Sequence, residues 1–187
     1  MEKLFKAIEF AVRAHAGQYR KGRRVPYIFH PIATAWTLME LGCDEALVAA
    51  AVLHDTVEDT HVTLEDLRRE FGPEVADIVE GCSEPDKTAP WEERKRHTIE
   101  HLQSAPTEVL LVTCADKLDN IRATRDDVAV VGEAAWSKFS RSKEQQAWYY
   151  RSLVRVFNQR TQEDPETSLF RTFESVVREV FGEERSG

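Results

Sequence analysis

The sequence predicts an all-α fold of about eight to ten helices, and three observations carry that prediction. Apolar residues recur at three- and four-residue spacing through most of the chain, and no clear run of alternating apolar and polar residues interrupts them. Only 8 Gly and 7 Pro punctuate 187 residues, which favours long elements over a strand-and-turn architecture. Hydrophobic residues make up 42% of the chain, enough for one core, so a single domain over 1–187 is expected.

Leu4, Ile8, Ala11 and Val12 share one helical face, and Gly17 ends the pattern, giving a helix over 2–16. A basic loop follows, Gln18 to Tyr27, with Arg20, Lys21, Arg23 and Arg24 in an otherwise acidic protein. His30-Pro31 opens the next helix, to about Leu41, because proline suits a first turn that needs no backbone donor. Asp44 caps a helix from Glu45 to about Val57, whose interior is apolar on nearly every side and which therefore belongs at the centre. Thr63 with Asp66 starts a short helix ending at Phe71-Gly72, and Pro73 begins another to about Cys82. Residues 83–90 read as a loop. Helices follow over 91 to about 103, 106 to about 124, 143 to about 159 and 167 to about 181.

Composition excludes several functions. The formal charge is −8, so the chain is not a generally basic nucleic-acid binder, and any anion must be caught by a local patch. Cys43, Cys82 and Cys114 are widely spaced and unpaired in pattern, which argues against a disulfide framework or a cysteine zinc site and fits a reducing cytoplasm. The N-terminus lacks a signal-peptide apolar region, and the longest apolar run, Ala46 to Leu53, is too short to span a bilayer.

The chemistry concentrates at His54-Asp55, followed by Glu58 and Asp59. On a continuous helix Glu58 stands one turn beyond His54, and Asp59 one turn beyond Asp55. Enclosing these charges demands a cationic partner. His30 and Asp116 supply two more donors, the latter where an apolar run from Leu110 turns abruptly polar. The mixed set His30, His54, Asp55 and Asp116 suits a divalent metal such as manganese, iron or zinc. A water bound there loses its proton near neutral pH and can attack phosphorus, while a nearby carboxylate accepts or relays the proton.

Three segments together, Phe29-His30-Pro31, Leu53-His54-Asp55-Thr56-Val57-Glu58-Asp59-Thr60 and Ala115-Asp116-Lys117-Leu118-Asp119-Asn120-Ile121-Arg122, resemble the HD-domain metallophosphohydrolases. More closely, they resemble the hydrolase domain of RelA/SpoT alarmone enzymes and its small stand-alone relatives. The similarity runs from about 10 to 124, with helices over 143–181 completing the chain. It implies a single HD-type helical bundle and one divalent ion, Mn2+, held by His30, His54, Asp55 and Asp116. It also implies a 3′-pyrophosphohydrolase that removes diphosphate from ppGpp or pppGpp to leave GDP or GTP. Glu58 and Asp59 then match the acidic pair that orients and activates water, Asn120 a nucleoside contact, and Arg20 and Lys21 the substrate loop. The expected partner is a small nucleotide, with no nucleic acid and no membrane.

Departures from the bifunctional pattern imply a stand-alone hydrolase: Arg23-Arg24 in the loop, Ala123 after the Asn-x-Arg step, and Gly81 to Lys87 in place of Gly-Val-Thr-Lys. Adenosine alarmones and the 2′-phosphate of NADPH stay open as substrates. Two rivals stand beside the main reading: an HD-type nucleotide phosphomonoesterase and a nucleotide sensor without turnover. Other motifs have plainer readings. His15 lies on the Leu4–Ala11 stripe and reads as a core histidine, while His61, His97 and His101 read as exposed or structural. Trp148-Tyr149-Tyr150 reads as core, and Leu169, Phe173, Val177 and Val180 either close the core or form an oligomer contact.

Overall fold

The computed structural model describes residues 1–84, 87–160 and 167–183. Its helices are α1 Glu2–Ala14, α2 Phe29–Glu40, α3 Glu45–Leu53, α4 Thr56–Asp59, α5 Leu64–Phe71, α6 Pro73–Cys82, α7 Trp91–Leu102, α8 Thr107–Val131, α9 Lys143–Arg160 and α10 Thr167–Phe181. A 3-10 helix, Gly132–Lys138, links α8 to α9. No strand occurs among the described residues; a single bridge pairs Tyr19 with Pro26. The all-α expectation is therefore met. Pro85 and Asp86, in the segment read as a loop, lie outside the described residues.

The chain forms two compact units, Met1–Asp116 and Lys117–Gly187, with the boundary inside α8. In the first, α3 is the central element. Every residue from Ala46 to Leu53 is buried, and α1, α2 and α6 pack around it. Its start is fixed by Asp44, whose carboxylate accepts from the Leu47 amide at 2.9 Å. The apolar stripe of α1 faces α3 through Leu4, Ala7 and Ala11, while α5 pairs with α6. Gly81 lets α6 approach α8: a Cβ there would stand 2.6 Å from Val109 Cγ2, a β-branched side chain with little rotamer freedom to yield. In the second unit α9 packs on α10, and Phe157 stacks on Phe170 with ring centroids 5.0 Å apart. Tyr149 is buried, and the half-buried Tyr150 packs near Phe173 and Phe181, while Trp148 is also half-buried, so of the three rings read as core only Tyr149 is fully enclosed.

Two boundaries depart from the sequence reading. The helix expected over 45 to about 57 stops at Leu53, and α4 begins only at Thr56. His54 and Asp55 keep right-handed dihedrals, yet the ladder is interrupted: the Thr56 hydroxyl donates to the Leu53 carbonyl at 2.7 Å, and His54 Nδ1 donates to the Ala51 carbonyl at 2.7 Å. The one-turn relation between His54 and Glu58 thus runs across a corner, not along a continuous helix. The other departure is α8, which continues past Thr124 to Val131. Its polar end is held by ion pairs, Arg125 with Glu179 at 3.3 Å and Asp127 with Lys138 at 2.5 Å.

The start of α5 has a full capping box, with Thr63 Oγ1 accepting from the Asp66 amide and Asp66 accepting from the Thr63 amide. We expect Thr63→Ala to destabilise the protein by about 1 kcal/mol in chemical denaturation. The Thr63 hydroxyl, then Arg69, hold Asp66 down at about 2. A depressed carboxyl stabilises fully above its unfolded value of 3.8 and loses that contribution as pH falls through 2. The difference between wild type and Thr63→Ala should accordingly shrink below pH 3.8.

Candidate metal centre and active site

Three elements bring the donors together. His30 comes from the first turn of α2, His54 and Asp55 from the corner between α3 and α4, and Asp116 from α8. His30 is 2% exposed, His54 4% and Asp116 6%, so these polar groups are withdrawn from water and must be answered inside the protein. One ligand atom from each of the three lies within 4.8 Å of the other two. His30 Nε2 is 3.1 Å from Asp116 Oδ1 and 3.5 Å from Asp55 Oδ2. His54 Nε2 is 3.1 Å from Asp55 Oδ2 and 3.9 Å from Asp116 Oδ1.

These separations fit one ion. Ligand bonds of roughly 2.0–2.2 Å put neighbouring ligand atoms about 3–3.5 Å apart, and two carboxylates with two neutral imidazoles leave two negative charges for a divalent cation. The tautomer of His54 fits too. With Nδ1–H committed to Ala51, the buried Nε2 faces the cluster, 3.1 Å from Asp55 Oδ2, and can present its lone pair to an ion. No cysteine belongs to the cluster among the described residues, and burial, with Asp116 adding to it, pushes the neighbouring Cys114 thiol well above its ordinary pKa.

Without a metal the cluster answers its charges with protons. Burial opposes a charged imidazole at His54, but the Asp55 charge and hydrogen bond, helped by Asp116, push it up to about 9. Burial likewise opposes ionised Asp55, yet His54 holds its carboxyl well below the usual carboxylate range. The arrangement thus stabilises imidazolium against carboxylate, and a metal takes over the role of that proton.

The acidic pair sits on α4. Glu58 Oε1 accepts from the Glu84 amide at 2.9 Å, and its carboxylate is half-buried. Asp59 is more open. Lys87 joins the two: its Nζ lies 2.6 Å from Asp59 Oδ1, 3.3 Å from Glu58 Oε2 and 2.8 Å from the Glu58 carbonyl. Hydrogen bonds and ion pairs to these acids raise the Lys87 pKa despite partial burial, so it remains a cation. Glu84 in turn is held by Arg94, with Nε at 2.7 Å, and by Lys95.

The basic loop is tied to the same corner at its base. Tyr27 N donates to the Gln18 carbonyl and Arg20 N to the Val25 carbonyl, each at 2.9 Å. Gln18 Nε2 donates to the Asp59 carbonyl at 2.7 Å, and the Tyr27 hydroxyl donates to Asp55 Oδ2 at 2.5 Å. Arg20 is half-buried and Lys21 exposed. Asn120 follows Asp116 by one turn of α8 and is half-buried. His15 is a core histidine, as its stripe suggests, with Nδ1 on Gln18 Oε1 at 2.8 Å. His97 and His101 stack on α7, and His101 Nε2 donates to the Gly81 carbonyl at 3.0 Å, a structural use.

Sequence reasoning does not find Tyr27, Gln18 or Lys87. Tyr27 carries the one available signal, standing three residues before His30. Gln18 and Lys87 carry none, because a single polar residue in a polar loop has no distinguishing pattern.

The model of the HD domain matches residues 7–144, which include all four donors and the acidic pair. The chain belongs to the HD domain family. An HD domain binds a divalent metal, and His30, His54 and Asp116 form a buried cluster of a size to hold one. It is 43% identical over 122 residues to guanosine-3′,5′-bis(diphosphate) 3′-pyrophosphohydrolase MESH1 of Xenopus tropicalis, covering 64% of this chain and 68% of that one. It is 41% identical over 128 residues to a GTP pyrophosphokinase of Streptomyces coelicolor, covering 67% of this chain. The chain spans only 15% of the length of that pyrophosphokinase. Among solved structures, a metazoan ortholog of SpoT that hydrolyzes ppGpp aligns with a TM-score of 0.75 at 30% identity. That alignment covers 94% of this chain and 96% of the ortholog. No helix among the described residues is long and apolar enough to cross a membrane.

Proposed function

We propose that this HD domain is a metal-dependent 3′-pyrophosphohydrolase that converts ppGpp or pppGpp to GDP or GTP and releases pyrophosphate. The observation that carries the reading is the clustering of His30, His54 and Asp116 within 4.8 Å, with Asp55 Oδ2 against both imidazoles and the acidic pair of α4 alongside. The likeness to a ppGpp-hydrolyzing ortholog supports the choice of substrate. Mn2+ is the proposed ion, bound by those four side chains; it supplies the Lewis acidity that makes a water nucleophilic near neutral pH.

The chain's own groups do the rest. Glu58 and Asp59 orient the attacking water and take up its proton as the oxygen bonds to phosphorus and the bond to the 3′ oxygen breaks. The leaving nucleoside 3′ oxygen needs a proton, and the same acidic pair returns it. Arg20 and Lys21 draw the polyanionic substrate to an acidic protein, where charge must be supplied locally. Asn120, one turn on from Asp116, contacts the nucleoside. Residues 1–187 act as one HD-type unit, and the thiols of Cys43, Cys82 and Cys114 suit a cytoplasmic place of action.

Incubation of the purified protein with Mn2+ and, separately, ppGpp, ppApp, NADPH and a deoxynucleoside monophosphate tests the proposal. Pyrophosphate with GDP from ppGpp is the expected result. Orthophosphate from NADPH or the monophosphate alone would move the function to a phosphomonoesterase, and intact nucleotide in every reaction would leave a sensor.

A further inference from the structure

Tyr27 belongs to no ligand set, yet it touches the site directly. Its hydroxyl donates to Asp55 Oδ2 at 2.5 Å and stands 3.5 Å from Asp59 Oδ2. The ring lies between two histidines, with centroids 4.9 Å from His15 and 5.7 Å from His30. The oxygen it meets is the same Asp55 oxygen that faces His30 Nε2 and His54 Nε2.

We propose that the Tyr27 hydroxyl is a positioning group that fixes the Asp55 carboxylate for metal binding and locks the base of the basic loop to it. The inference rests on the metal reading above.

A carboxylate has about four lone-pair sites and rotates about its terminal bond, so a ligating Asp is defined only when a second donor occupies one of them. Tyr27 is that donor. Its phenol, with an ordinary pKa of about 10, keeps its proton at neutral pH and donates it to the carboxylate. Its backbone amide meanwhile bonds the Gln18 carbonyl at 2.9 Å, and Gln18 reaches the Asp59 carbonyl. Two side chains from the loop's base therefore grip both ends of the α3–α4 corner. The hydroxyl orients one metal ligand and, through the same residue, sets where Arg20 begins.

Tyr27→Phe keeps the ring packed on both histidines and removes only the hydroxyl. Chelator-stripped wild type and variant are titrated with Mn2+, with free ion followed by its paramagnetic resonance signal. We expect the dissociation constant to rise about 10- to 100-fold in the variant, with an unchanged far-ultraviolet circular dichroism spectrum. The activity deficit should then recover as Mn2+ is raised, which a merely structural defect would not do. Equal Mn2+ affinity in the two proteins overturns the role of Tyr27 and leaves the metal centre standing. A wild type that takes up no Mn2+ overturns the metal reading and this inference with it.

Discussion

Asp116→Asn should abolish Mn2+ binding, and hydrolysis with it, while leaving the metal-free fold intact. Asp116 Oδ1 lies 3.1 Å from His30 Nε2 and 3.9 Å from His54 Nε2, the only carboxylate that joins the two imidazoles from the α8 side among the described residues. Asparagine preserves the shape and one acceptor but removes a charge from a set that offers two against a divalent ion. Groups that merely orient a ligand are worth 10- to 100-fold in metal affinity, so loss of a ligand itself should exceed about 100-fold. The metal-free protein should not suffer to the same degree. Asp55 and Asp116 repel each other across the cluster, and removing one charge relieves that repulsion. Thermal denaturation separates the two effects: at a Mn2+ concentration 100 times the dissociation constant the wild type gains about 2.7 kcal/mol, and the variant should gain nothing. A variant that still gained that increment would show Asp116 to be no ligand.

Much of this site is legible in the sequence because its donors interrupt apolar segments. His54-Asp55 ends the most completely buried helix, and Asp116 stands where Leu110–Ala115 gives way to charge, so burial of each acid can be inferred from its neighbours. Pattern and resemblance propose the donor set, and the fold clusters three of its members, His30, His54 and Asp116. The corner at His54 is different, because both residues keep helical dihedrals and only two local hydrogen bonds break the ladder. Periodicity cannot see that. The further reach of α8 is hidden for another reason: Arg125 and Asp127 look like a polar end until Glu179 and Lys138 are brought to them.

The supporting groups are hidden by distance along the chain. Tyr27 meets Asp55 across 28 residues, Gln18 meets Asp59 across 41, and Lys87 meets Asp59 across 28. Each is a loop residue whose role exists only once α1, α2 and α4 are assembled. A sequence therefore reveals ligands, which are chemically unusual where they stand, more readily than the groups that aim them. The basic loop shows both sides: its charge is plain from composition, while its attachment to the acidic pair through Gln18 and Tyr27 is a property of the fold.

Glu58→Gln should separate chemistry from metal binding. Glu58 is not among the clustered donors, so Mn2+ affinity should stay within about threefold of wild type, where loss of a ligand-orienting group would cost 10-fold or more. Glutamine keeps an oxygen able to accept from the Glu84 amide, which preserves the 2.9 Å contact that fixes this side chain. What it cannot do is carry a proton. Positioned acid–base groups contribute about 10²- to 10⁴-fold, and kcat should fall by that factor with KM nearly unchanged. Lys87 makes the test sharper. It lies 3.3 Å from Glu58 Oε2 and 2.6 Å from Asp59 Oδ1, so neutralising Glu58 leaves Lys87 paired with Asp59 and the α4 corner held in place. Steady-state kinetics at saturating Mn2+, with affinity measured separately, distinguish the cases. Turnover retained at the wild-type rate would take proton handling away from Glu58 and leave Asp59 as its remaining holder.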